Sequence, residues 1–241
     1  MKKFTVILIL ILTTVALLGV SCGGGGGGEA TPTPTHTPTA TAILTATATP
    51  GKTPTPTATS TSGKTLADIY GEGKSIGDVK YDQIITAPGQ PPQTIKVWMK
   101  DAWLSDKMKI RQEMTAEGTT SVILVDLGTK IAYMYLPDQN MAYKIDMSQA
   151  YVDPTENANQ IIPVKVGTET IDGHLCDIYQ WTYQDSTTKE WIWKEKSLPV
   201  RVEATTSSST TIIEYKNIVF GTLSNDLFQL PAGVDIITMP G

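Results

Sequence analysis

A mostly β domain of about ten antiparallel strands, with one or two short helices packed on one side, is what the sequence predicts for residues 64–241. Three observations predict it. Apolar and polar residues alternate through one segment after another. In "KMKIRQEM", Met108, Ile110 and Met114 share one parity, while Lys107, Lys109, Arg111 and Glu113 share the other. Such alternation marks a strand with one dry face and one wet face. The segments are separated by short turn-rich connections, and Asp172-Gly173 between two alternating runs is a strong hairpin signal. The domain opens with a short helical candidate, Leu66–Gly73, with Leu66, Ile69 and Tyr70 on one side, after which almost everything reads as strand. So many strand edges must be hidden that the pattern predicts a closed or nearly closed sheet.

The chain before this domain has a different character. Residues 1–21, "MKKFTVILILILTTVALLGVS", place two lysines ahead of an apolar run from Val6 to Leu12 and small residues at the end. That order is a secretory signal. Its apolar run is short for a membrane span, which needs about 20 residues. Ser21 followed by Cys22 resembles the lipobox of bacterial lipoproteins, whose cysteine is diacylated on sulfur and becomes the mature N-terminus. Gly19 stands where that family usually has leucine, with Leu18 displaced by one position. The resemblance makes Cys22 the expected lipid anchor. A retained anchor helix, or ordinary cleavage that leaves Cys22 free, are the alternatives.

Residues 22–63 read as a tether. Six glycines, Gly23–Gly28, precede a tract made almost wholly of threonine, proline and alanine. It cannot bury enough apolar surface to offset the entropy of ordering it. Proline-rich chain extends by about 3.1 Å per residue, giving a reach on the order of 100 Å. Tracts of this composition are often glycosylated stalks. His36 is isolated within it.

Inside the domain the strands are expected at Val79–Thr86, Ile95–Trp103, Lys107–Thr115 and Ser121–Asp126. Ile131–Leu136 and Met141–Asp146 follow, joined by the turn "PDQN". The alternation breaks around "SQAYVDPTENANQIIP", where a loop or short helix is expected. After the Asp172-Gly173 hairpin come Glu190–Glu195, Val200–Thr205 and Thr211–Val219. "SNDLFQLPAG" suits a one-turn helix before an extended tail.

The whole chain carries a net charge of −5. Lys2, Lys3, Lys52 and Glu29 lie outside the domain, which leaves 16 basic against 23 acidic residues, or −7. No basic cluster stands out, which argues against a nucleic-acid partner. Catalytic patterns are also sparse. The domain has one histidine, His174, and one thiol, Cys176, so it offers no zinc-ligand set. G-x-S-x-G occurs once in it, at Gly73–Gly77, and S-x-x-K once, at Ser186–Lys189, each a short pattern without the rest of its motif set, and the full G-x-x-x-x-G-K-S/T phosphate loop is lacking. The residues therefore point away from an enzyme, and no cofactor or metal is expected. If Cys22 is acylated, Cys176 is the remaining thiol, expected to be buried and inert.

The apolar inventory says more. Trp98, Met99, Met108, Met114, Met134, Met141, Trp181, Trp191 and Trp193 are spread over successive strands. Methionine is flexible and polarizable, and suits surfaces that adapt to variable hydrocarbon shapes. Ile131–Leu136 and Ile192-Trp193 are apolar on both parities, more than one buried face requires. A plainly filled core is the competing reading of the same pattern.

The runs "GTETIDGHLCDIYQW", "WIWKEKSLPVRVEA", "IIEYKNIVFG" and "DLFQLPAGVDI", in that order, are similar to the LolA-like superfamily. It groups outer-membrane lipoprotein-sorting carriers and acceptors with lipid-carrying lipoproteins of the LppX and LprG kind. The resemblance covers most of Tyr81–Asp235. It implies a strongly curved, half-open antiparallel barrel whose helices lid a hydrophobic cavity. It also implies a protein of the cell envelope that binds acyl chains of a lipid or an acylated protein. An anchored holder on the outer face of the cytoplasmic membrane, or on an outer membrane if present, fits Cys22 better than a soluble shuttle. The expected cavity-lining residues are Val97, Met99, Met108, Ile110, Met114, Tyr133, Tyr135, Met141, Tyr143, Trp181, Trp191 and Trp193. The alternative is a sensor or protein-interaction module of the envelope, docking a partner protein on the same curved sheet with its core filled.

Overall fold

The computed structural model describes residues 63–72, 76–102, 106–148, 158–183 and 185–238. The expected signal segment, Cys22 and nearly all of the tether lie outside the described residues, as does Trp103. Twelve strands are described, and all belong to one open, curved sheet. β1 (Val79–Thr86), β2 (Gln93–Lys100), β3 (Lys109–Ala116), β4 (Thr119–Asp126), β5 (Ile131–Leu136) and β6 (Met141–Asp146) form one antiparallel meander. A second meander contains β7 (Val164–Ile171), β8 (His174–Tyr183), β9 (Ser186–Trp193), β10 (Leu198–Thr205) and β11 (Thr210–Phe220). The antiparallel pair β1–β11 joins them.

The half-open, mostly β arrangement is the one the resemblance implies. Closure, which the strand pattern alone suggested, does not occur, because the sheet ends at β7 on one side and at β12 (Asp235–Thr238) on the other. Nor is every pair antiparallel, since β12 lies parallel to β6. The edges are protected in other ways. β12 has only four residues, and β7 carries Lys165, Thr168, Glu169 and Thr170, both of which discourage edge-to-edge pairing.

Turn chemistry sets the registers. Asp172 and Gly173 have φ of +49° and +80°, and Glu117 and Gly118 have +51° and +81°. Positive φ at both central positions is the hairpin turn whose twist matches the flanking strands. Register shifts between Lys80 and Asp82, Lys165 and Gly167, and Pro199 and Arg201 bend the sheet. Pro199, with no N–H to give, sits at one of them.

Helix α1 (Leu66–Gly71) is two residues shorter than its apolar spacing suggests. Thr65 caps it reciprocally: Asp68 N–H donates to the Thr65 hydroxyl at 3.1 Å, and Thr65 N–H to the Asp68 carboxylate at 2.9 Å. The face bearing Leu66, Ala67, Ile69 and Tyr70 is buried against Ile192 and Ala158, with Ile161, Tyr179 and Trp181 alongside.

Cross-strand pairing defines which side of the sheet α1 covers. Tyr179, Glu190, Val202, Ile213 and Ile85 form one row from β8 to β1. Tyr81, four residues along β1 from Ile85 and so on the same face, begins a second row through Val97, Gln112, Ile123, Met134 and Tyr143. Both rows face the side that carries α1, here called the inner face.

The outer face of β2–β4 is covered differently. The segment after β11 crosses it, with a 3₁₀ turn at Asn225–Phe228 lying against β3 and β4. Lys100 Nζ donates to the Leu223 carbonyl and Arg111 Nη1 to the Leu227 carbonyl, each at 2.9 Å. Val122 and Leu124 are buried on this side. Arg111, expected to face water, is half-buried under the crossing segment.

Candidate apolar binding face

The inner face divides into two parts. From β1 to the first half of β3 it is packed: Tyr81, Ile95, Val97, Met99 and Ile110 are each at most 5% exposed. Met108, in the same alternation just ahead of β3, is buried too. Tyr81 Oη lies 3.4 Å from Met99 Sδ and its ring 5.2 Å from that of Tyr215. Toward β6 the face stays apolar but opens. Met114, Ile123, Val125, Met134, Met141, Tyr143 and Ile145 are all half-buried. Pairing places them together: Met134 lies between Ile123 and Tyr143, and Ala132 between Val125 and Ile145.

The residues expected to line a cavity fall on both sides of the sheet. Val97, Met99, Met108, Ile110, Met114, Met141 and Tyr143 belong to the inner face of the first meander. Trp181, opposite Thr188, belongs to the inner face of the second, beside α1. Tyr133 and Tyr135 pair with Leu124 and Val122, and so lie on the outer face. Trp191 and Trp193 are also outer. Trp191 packs with Cys176, Ile178 and Val200, donates from Nε1 to Glu169 at 2.6 Å, and has Lys189 and Arg201 over its ring. Trp193 stacks on His174 with ring centroids 3.8 Å apart. Trp193 and His174 line a shallow depression of about 420 Å³ with Leu175, Lys194 and Glu195, away from the apolar stretch. Ile123, Val125 and Ile145 are not among the residues expected from sequence. The register fixed by Glu117-Gly118 is the signal that would have found them.

Cys176 is fully buried, and burial pushes its thiol up to about 11. Its sulfur contacts the backbone carbonyl of His174 at 3.2 Å, while the imidazole stacks on Trp193. The two side chains therefore do not form a nucleophile–base pair in this geometry.

One titratable pair lies under α1. Glu190, on the inner face of β9, is 3% exposed, and the Tyr70 hydroxyl is 2.7 Å from each carboxylate oxygen. Burial pushes the carboxyl up to about 7, against a smaller downward pull from the Tyr70 hydrogen bond. Burial, reinforced by Glu190, holds the Tyr70 phenol well above its usual range. Sequence reading misses this site, because a glutamate within a strand looks like a water-facing residue.

No known protein family profile matches this sequence, and no curated protein resembles it significantly. Solved structures do. An uncharacterized conserved protein from Thermus thermophilus aligns with a TM-score of 0.53 at 12% identity, over 72% of this chain and 97% of that one. A chain of the MucA–MucB complex from Pseudomonas aeruginosa aligns with a TM-score of 0.52 at 12% identity, over 72% of this chain and 64% of that one. This chain thus matches about two thirds of the length of that one. LprF from Mycobacterium bovis aligns at a TM-score of 0.40 and 12% identity, over 70% of this chain and 97% of that one, too distant to carry an argument. At such identities the first two likenesses show a shared fold and nothing more.

Proposed function

We propose that this chain is a cell-envelope lipoprotein with a LolA-like domain, tethered to a membrane through Cys22, whose inner face holds the acyl chains of a lipid or an acylated protein. The observation that carries the reading is the change along one face of one sheet. Apolar residues are sealed at Val97 and Ile110 but half-open at Met114, Ile123, Met134, Met141 and Tyr143. A packed core has no need of an apolar stretch that water still reaches. An acyl chain laid along it gains roughly 0.8 kcal/mol per methylene removed from water. Affinity then depends more on chain length than on head group. Residues 1–21 would direct export, and residues 22–63 would let the domain range away from the bilayer.

A second reading has its own support. MucB, which shares the fold, is known in a complex with MucA. A protein partner on the same curved sheet is therefore the competing occupant.

Titrating residues 64–241 with a fluorescent fatty acid separates the two. Wild-type protein is expected to bind saturably. Met114→Lys is expected to remain folded, since a half-buried lysine can reach water with its amine, but to bind at least about tenfold more weakly, a loss of about 1.4 kcal/mol. Lys109→Met, on the outer face, removes an ion pair to Asp126 at 2.8 Å. Such partly exposed pairs contribute at most about 1 kcal/mol, so binding should hardly change. No saturable binding by folded wild-type protein would overturn the hydrocarbon reading in favour of protein docking.

A further inference from the structure

We propose that Tyr70 and Glu190 form a pH-sensitive latch that holds α1 on the inner face. Gating of a ligand by this latch rests on the function proposed above; the latch itself does not. Among the described residues, three attachments hold the helix. Leu66 N–H donates to the Ile161 carbonyl at 2.8 Å, the apolar side chains pack on Ile192, and the Tyr70 hydroxyl bonds Glu190. The third ties the helix to a buried carboxyl.

Among the described residues, no basic side chain acts on that carboxyl. Tyr70 faces it from α1 and Tyr215 from β11, with Tyr81 of β1 against Tyr215. Its cross-strand neighbours are Tyr179 on β8 and Val202 on β10. The basic residues of β9 and β10 nearest in sequence, Lys189 and Arg201, lie on the opposite face over Trp191. Protonated, Glu190 is a neutral group that can both donate and accept. Ionised, it is a buried anion with phenols for company. Such a group gains by reaching water, and the route to water is departure of α1, the element stacked over it.

The direction of the pH effect follows. With the helix closed, the carboxyl titrates at about 7 rather than 4.5. The closed form therefore binds the proton more tightly. Its advantage is complete below about pH 4.5, declines roughly tenfold per unit as pH rises, and is gone above about 7. Tyr70 stays protonated through this window and remains a donor.

Hydrogen exchange of the full chain, corrected for intrinsic rates, tests this at pH 5 and pH 8. Amides of α1, including Ile69 and Glu72, which bond within it, should open up to about 70-fold more readily at pH 8, while β2 and β3 do not change. Glu190→Gln should abolish that difference and keep α1 protected at both values. Tyr70→Phe should loosen α1 at pH 5 while leaving some pH dependence, because the buried carboxyl persists. Equal α1 protection at both pH values in wild-type protein would overturn the latch, as would an undiminished difference in Glu190→Gln. Exchange reads the helix directly, so failure of fatty-acid binding would leave this result untouched.

Discussion

Val97→Lys is expected to leave no folded domain at 25 °C. Val97 is 1% exposed and sits mid-row between Tyr81 and Gln112 on the packed part of the inner face. A lysine there loses the valine's burial and places an ammonium among apolar side chains without a partner. An unpaired buried charge of this kind costs several kcal/mol, against a total stability of about 5–15 kcal/mol for a typical domain. Circular dichroism and a thermal melt report the outcome. The contrast with Met114→Lys is the informative part. Both changes put a lysine on the same face of neighbouring strands, yet only the first should unfold the protein. If both unfold it, the apolar stretch from β3 to β6 is ordinary core.

Removing the chain after Phe220 should be nearly as costly. That segment shields Val122 and Leu124, each at most 3% exposed, and bonds Lys100 and Arg111 through the carbonyls of Leu223 and Leu227. It also supplies β12 along the edge of β6. Exposing the two side chains alone costs about 3–6 kcal/mol at 1.5–3 kcal/mol each. For a domain of this size the melting temperature should fall by roughly 10–20 °C. An apolar dye should then bind the truncated protein strongly, since the uncovered face of β4 is apolar. An unchanged melt would mean that the crossing segment is a loose tail and not part of the structure.

Local chemistry explains which features are legible in the sequence. β1, β5 and β6 begin and end where alternation does, because each is bounded by turn residues. The β7–β8 hairpin follows from Asp172-Gly173, whose preferred backbone admits one register. β12 reads as an extended tail because its partner, β6, is about ninety residues away and no local signal specifies a parallel pair. Face assignment fails where a strand is apolar on both sides. In "IAYMYL" alternation separates Met134 from Tyr133 and Tyr135 but does not say which group points inward. Pairing of Met134 with Ile123 and Tyr143 settles that, and it puts both tyrosines outside. "EWIW" has the same ambiguity, with Glu190 and Ile192 inside and the two tryptophans outside. The outer face there needs apolar residues because Cys176, Ile178 and Val200 pack on it. Glu190 is beyond sequence reading for a further reason. Its burial depends on a helix 120 residues earlier in the chain.

The measurement that bears most directly on the hydrocarbon reading is native mass spectrometry of residues 64–241 after incubation with lipid vesicles and their removal. A folded domain carrying one acyl lipid is expected, with Met114→Lys folded and empty. Wild-type protein that stays folded and emerges with no lipid bound would contradict that reading.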